Sequence, residues 1–168
     1  MIDGLMAALL AVQAGEITSD ADLLPAWHGE WSGALQTFPE SSETASIDVA
    51  LTIGPGDDPF HGCLDRHMRY SRDGQLLQEK SYRICQREDG LVIDEGGGVE
   101  LAARVFEDRL MVSQFSVQGR YFTSREAVED DTLTIEIVFT GPQDETGGDL
   151  VSFPTAGLQR IVLQRAPD

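Results

Sequence analysis

Hydrophobic residues along this chain recur at every second position, in short runs separated by breaks rich in glycine and aspartate. Side chains alternate faces along an extended strand, so these runs predict half-buried strands. In the first, Ala26–Leu35, the residues Trp27, Gly29, Trp31, Gly33 and Leu35 share one parity. Two indole rings spaced by glycines on one face suit a curved strand at the floor of a barrel, where glycine lets neighbouring backbone come close. Ile47, Val49, Leu51 and Ile53 form the second run, and Gly54-Pro55-Gly56-Asp57-Asp58-Pro59 ends it. Strands are expected over 62–71 and 76–86, joined at Arg72-Asp73-Gly74-Gln75, where Asp-Gly predicts a tight hairpin. Leu91–Asp94 and Val99–Ala103 flank Gly96-Gly97-Gly98. Met111, Ser113, Phe115 and Val117 share the next face, and Gly119 turns the chain into Arg120–Val128. Leu133, Ile135, Ile137 and Phe139 alternate most clearly, and a polar loop over Gly141–Thr155 precedes the last strand, Gly157–Arg165.

Short strands at this spacing, without a long amphipathic helix, predict an all-β fold rather than a parallel α/β one. Closure removes exposed edges and encloses a cavity, so the expected architecture is an antiparallel up-and-down barrel of about 8–10 strands. Residues 22–168 are read as one barrel domain, and residues 1–21 as a tail or short helix.

The first hairpin specifies its own register. Setting Cys63 opposite Cys85 also sets Asp65 opposite Arg83 and Arg69 opposite Glu79, giving two complementary charge pairs. A slip by one residue puts His67 against Lys80 and Leu64 against Arg83, which is worse. In the favoured register one face carries Cys63, Asp65, His67, Arg69, Glu79 and Arg83, and the other Leu64, Arg66, Met68, Tyr70, Lys80 and Tyr82. Neither is cleanly apolar. A mixed face is either a solvated outer wall with ion pairs or a polar-lined lumen, and for a lumen the second set is the better lining.

Composition changes the picture in two ways. Twelve basic residues oppose 29 acidic ones across 168 positions, a net charge of −17 with Lys80 the sole lysine. Such a surface repels phosphate backbones and anionic membranes, which argues against nucleic acid as a partner. No apolar stretch is long enough for a membrane span, but Leu5–Ala14 has the character of a signal-peptide core with a small-residue site at Val12-Gln13-Ala14. Asp3 and the lack of a preceding Lys or Arg count against that reading. An exported protein, periplasmic or secreted, is the expectation held slightly ahead of a cytoplasmic one, with an amphipathic cap or a frayed tail as alternatives. Export would permit a Cys63–Cys85 disulfide, and a reducing compartment would leave two packed thiols.

Gly29-Glu30-Trp31 resembles the Gly-x-Trp signature of lipocalins and related calycin barrels. That resemblance implies a structural tryptophan at the closed end with a late arginine, Arg165 or Arg160, across its ring. Trp27, Trp31 and Arg165 are accordingly expected to be structural. The Trp-x-Gly-x-Trp-x-Gly spacing is also similar to nitrobindin-type haem barrels, whose haem ligand is a late histidine. Here His28, His61 and His67 all lie early, so no haem, and no other cofactor, is expected. Tyr82-Arg83, Asp94-Glu95-Gly96-Gly97-Gly98 and Phe115-Ser116-Val117-Gln118-Gly119 are similar to uncharacterised bacterial proteins of lipocalin-like size, and no activity comes with that resemblance.

No phosphate loop, nucleophile elbow or paired metal motif occurs. His61, Cys63, Asp65 and His67 share strand parity, but so do alternate residues of any strand, and no metal is expected. Asp94-Glu95-Gly96-Gly97-Gly98 reads as a turn needing positive φ, and Gln143–Asp149 as an acidic flap rather than a calcium loop. The resulting expectation is a non-catalytic barrel binding a small apolar or amphipathic ligand, with Arg66 as polar anchor and Tyr70, Tyr82 and Phe115 lining the cavity. The rivals are a surface interaction module of the bacterial envelope, with a protein partner the residues do not identify, and a small barrel enzyme acting at the mouth.

Overall fold

The computed structural model describes residues 23–40, 47–56, 62–141, 144–145 and 151–167. The strands are β1 (Gly29–Phe38), β2 (Ile47–Pro55), β3 (Cys63–Arg72), β4 (Gln75–Arg87), β5 (Gly90–Gly96) and β6 (Val99–Phe106). After these come β7 (Leu110–Val117), β8 (Arg120–Glu129), β9 (Thr132–Thr140), the two-residue β10 (Asp144–Glu145) and β11 (Val151–Ser152), and β12 (Thr155–Arg165). Ten of them close an antiparallel barrel in the order β1-β12-β9-β8-β7-β6-β5-β4-β3-β2, while β10 and β11 pair with each other. No described helix is long and apolar enough to cross a membrane. The proposed tail over 1–21 lies outside the described residues, as does most of the Gln143–Asp149 flap.

Alternation fixes which side faces in. β2 is the simplest case: Ile47, Val49, Leu51 and Ile53 are buried, and Asp48, Ala50 and Thr52 between them are exposed. The β3–β4 ladder adopts the register that its charges specify, with Cys63 opposite Cys85, Asp65 opposite Arg83 and Arg69 opposite Glu79. Cys63 and Cys85 are joined in a disulfide, the pairing that the favoured register allows. At the tip, Asp73 and Gly74 both take positive φ, as a two-residue hairpin turn requires, and the register shifts between Tyr70 and Ser71.

One end of the barrel is plugged. Trp31 is the floor ring carried by β1, but Trp27 is not on that strand. It ends a 3-10 turn, Pro25–Trp27, and β1 begins only at Gly29, whose φ is +127°. The shared-parity reading of the two tryptophans is therefore corrected: the proline-led turn folds Trp27 back over the end, where both rings are buried. Trp31 Nε1 donates to the Trp27 carbonyl at 3.0 Å, and Trp27 Nε1 to the Asp108 carbonyl at 2.9 Å. Of the two candidate arginines, Arg165 takes the ring, its guanidinium carbon 4.0 Å from the Trp31 centroid, whereas Arg160 pairs with Glu136.

Gly33 allows β12 to approach β1. A Cβ there would sit 1.9 Å from the Val162 carbonyl oxygen, a backbone atom that no side-chain rotation can relieve. Gly33→Ala should therefore cost about 1–3 kcal/mol, the range for overpacking a tight interior. Urea unfolding checks this, and a variant as stable as the parent would show that the β1–β12 ladder can spread freely.

Candidate functional site

Burial of the inward residues changes along the barrel axis on most walls, although Val49 and Ile161, opposite Tyr70 and Leu35, are buried as well. Towards the plugged end, Leu51, Ile53, Leu64, Ile84, Val128, Leu133 and Leu163 are all at most 2 % exposed. Towards the other end, Leu35, Tyr70, Lys80, Tyr82, Phe115, Phe122 and Phe139, all of inward parity, are only half-buried. These half-buried residues mark the open end, or mouth, of the barrel. All four sequence-predicted ligand residues, Arg66, Tyr70, Tyr82 and Phe115, project into the barrel. Arg66, Tyr70 and Tyr82 stand together on β3 and β4. Phe115 stands apart from them, on the wall made by β7, β8 and β9.

Arg66 is joined to a residue that the pattern of the chain did not single out. Its Nη1 donates to Glu126 Oε2 at 2.7 Å, with both side chains nearly inaccessible. Glu126 is on β8, and in the ring of strands four others separate β8 from β3 in either direction. The ion pair therefore runs across the barrel interior, not along a wall, as a crossbar with Arg66 opposite Ile53 and Tyr82 and Glu126 opposite Met111 and Ile135. Glu126 engages only Nη1, and Arg66 Nε is buried without a hydrogen-bond partner among the described residues.

Around the crossbar the interior is lined by polar and aromatic side chains together. Ser113 and Ser124, opposite each other on β7 and β8, are buried near Glu126, and Ser113 Oγ donates to the Ala102 carbonyl. Tyr70 Oη donates to Met68 Sδ at 2.7 Å, a weak acceptor, and Lys80 Nζ lies 5.9 Å from the Tyr70 ring centroid. Burial pushes the Tyr70 and Tyr82 hydroxyls above the usual tyrosine range, with Lys80 opposing the shift at Tyr70 and Arg66 opposing it at Tyr82. Both therefore remain neutral donors at physiological pH. On the other wall Phe115 stacks on Phe122 at 5.2 Å between centroids, and Phe122 meets Phe139 at 6.1 Å. Neither Phe122 nor Phe139 was among the expected ligand residues, although Phe139 belongs to the alternating face read from the sequence and Phe122 shares the inward parity of β8.

The wall is interrupted beside Tyr82. β4 runs from Gln75, but its ladder to β5 covers only Arg83–Arg87, because the β5–β6 hairpin is short. A cavity of about 540 Å³ lies at this step, bounded by Arg66 and Tyr82 of the inward face and by Asp65, His67 and Arg83 of the outward one. The hairpin tip is the expected positive-φ turn, with Gly96, Gly97 and Gly98 at +80°, +63° and +85°. Asp94 anchors it, accepting from the Gly96 N–H at 2.8 Å and from Arg83 Nη2 at 2.6 Å. Those two donors, the backbone one first, hold its carboxyl below the ordinary carboxylate range. A lowered folded-state pKa stabilises the fold above the unfolded value, near pH 4, and that stabilisation is lost as pH falls through the folded value. Asp94→Asn should therefore flatten the acid limb, so that melting temperature declines less from pH 4 to pH 2.5 than in the parent protein.

The outward face of β3 and β4 is a solvated wall with ion pairs: His67 lies 2.9 Å from Glu79, and Arg69 3.6 Å from the same carboxylate. No group of three or more His, Cys, Asp and Glu among the described residues is placed to hold a metal, and His61 lies outside them. Comparison with known proteins adds nothing to this geometry. No protein-family model, no curated protein and no solved structure matches the chain.

Proposed function

We propose that this barrel is a calycin-type binding protein that holds a small amphipathic ligand in the mouth half of its lumen. The observation that supports it is the change in burial along the inward face: a dry, close-packed floor gives way to half-buried tyrosines, phenylalanines and a lysine. Ligand sites are concave and mostly apolar, with a few placed polar groups, and Arg66, Tyr70, Tyr82 and Phe115 supply that combination. Residues doing catalytic work are not required by this reading.

Native mass spectrometry of protein purified gently from its own host tests it. An adduct of a few hundred daltons, lost on denaturation, is expected. A bare mass, together with failure to bind the neutral fluorophore N-phenyl-1-naphthylamine, would overturn the reading. A second reading, an envelope interaction module, draws on the rim. Leu76, Leu77, Val99, Val117, Tyr121 and Phe153 are all exposed around the mouth. A bare lumen with a protein captured through those rim residues would favour it.

A further inference from the structure

The chemistry of the lumen narrows the ligand further, and this step rests on the lumen-binding reading above. Arg66 brings five N–H donors into a site where it is 4 % exposed, and one monodentate bond to Glu126 leaves them undersatisfied. Its Nε is the buried donor without a partner. The nearby donors are also poorly matched. The Tyr70 hydroxyl rests on a thioether, and Lys80 faces an aromatic ring without a carboxylate among the described residues. Among charged side chains of inward parity, Arg66, Lys80 and, at the strand end, Arg72 oppose Glu126, with Arg120 and Glu95 exposed at the rim. The lumen is thus rich in donors and cations inside a protein whose net charge is −17.

We infer that the ligand is an amphiphile with a single oxyanion head, which takes the free Nε side of Arg66, and that Glu126 is a built-in competitor for that guanidinium. A planar guanidinium binds carboxylate or sulfonate oxygens through paired N–H groups, a geometry Glu126 does not use. The apolar body of the ligand then runs toward the mouth, where Phe115 and Phe122 offer ring faces. Glu126 holds Arg66 across the lumen when the site is empty and repels the incoming anion, so removing its charge should strengthen anion binding specifically.

The test compares two probes with one ring system: 1-anilinonaphthalene-8-sulfonate, permanently anionic, and neutral N-phenyl-1-naphthylamine. Each is titrated by fluorescence into the parent protein, Glu126→Gln, the double variant Arg66→Met/Glu126→Gln, and Glu100→Gln. Glutamine at 126 removes the charge but can still accept from Arg66, circular dichroism checks that each variant is folded before titration, and Glu100 is an outer-wall acid paired with Arg87. The expected result is at least a tenfold gain in sulfonate affinity for Glu126→Gln. Amine affinity should stay within twofold, Glu100→Gln should show little gain, and the double variant should lose the gain. An unchanged sulfonate-to-amine ratio in Glu126→Gln, or an equal gain in Glu100→Gln, would overturn the competitor role and leave lumen binding intact. Binding of neither probe to any variant would overturn both.

Discussion

Arg66→Met should destabilise the barrel by about 3–5 kcal/mol, the cost of leaving a buried carboxylate without its counter-ion. The side chains of Arg66 and Glu126 are 4 % and 6 % exposed, so solvent does little to screen the orphan. Methionine matches much of the arginine stem in length and would pack against the same neighbours, which isolates charge from volume. The companion variant Arg66→Met/Glu126→Met should recover most of the loss. Replacing both members of a buried ion pair by apolar residues is often neutral or stabilising, whereas removing one is not. Urea unfolding of the parent, both single variants and the double variant gives the coupling energy directly. A single variant within about 1 kcal/mol of the parent would mean that Glu126 escapes to water or takes up a proton cheaply, and the crossbar would then not be a dry contact. The same cycle bears on function, because a protein that keeps such a pair in its interior keeps it at a cost in stability. The binding role proposed for Arg66 would account for that cost.

How far the chain announced this arrangement depends on which interactions set it. Strand positions and the β3–β4 register were legible because they follow from period-two alternation and from charges opposed across one tight Asp-Gly turn. Both are local. The closure partner of β1 was legible only through the resemblance that pointed to Arg165, since β1 and β12 meet across nearly the whole chain. Trp27 was misplaced because its parity matches Trp31, while the preceding proline and the left-handed Leu24 (φ +48°) turn the backbone before the strand starts. Parity alone put Arg66, Tyr70 and Tyr82 on one face of the hairpin, but with polar residues on both faces it did not decide which face is inward. Glu126 could not be linked to Arg66, because nothing local relates strands on opposite sides of a barrel. The available signal was a glutamate at the inward parity of Phe122, Ser124 and Val128, a charge where the pattern calls for an apolar residue.

Arg165→Met should lower stability by about 3 kcal/mol and change the environment of both tryptophans. The guanidinium lies across the Trp31 ring, and Nη2 donates to the Ala26 carbonyl at 2.9 Å. Nη1 donates to the His28 carbonyl, and Nε to Asp131 Oδ1 at 3.2 Å. One side chain thereby ties the end of β12 to the 3-10 turn and to the β8–β9 turn. The cation–π contact contributes on the order of 1 kcal/mol, and each charge-assisted bond to a part-buried carbonyl about as much again or more. The Asp131 contact is exposed and contributes little. Lysine at 165 should rescue less than half of the loss, because a point charge cannot lie flat on the indole and span two carbonyls together. Because Trp27 is held over the floor by that turn, the substitution should also raise quenching of tryptophan fluorescence by acrylamide under native conditions, before any global unfolding. Ligand binding at the mouth should be nearly unaffected, since the close-packed layer from Leu51 to Leu163 separates the two ends. Fluorescence and stability like those of the parent protein would show that the packing of Trp27 and Trp31 alone closes the barrel. Loss of probe binding at the mouth with the fold retained would show instead that the two ends are coupled through the core.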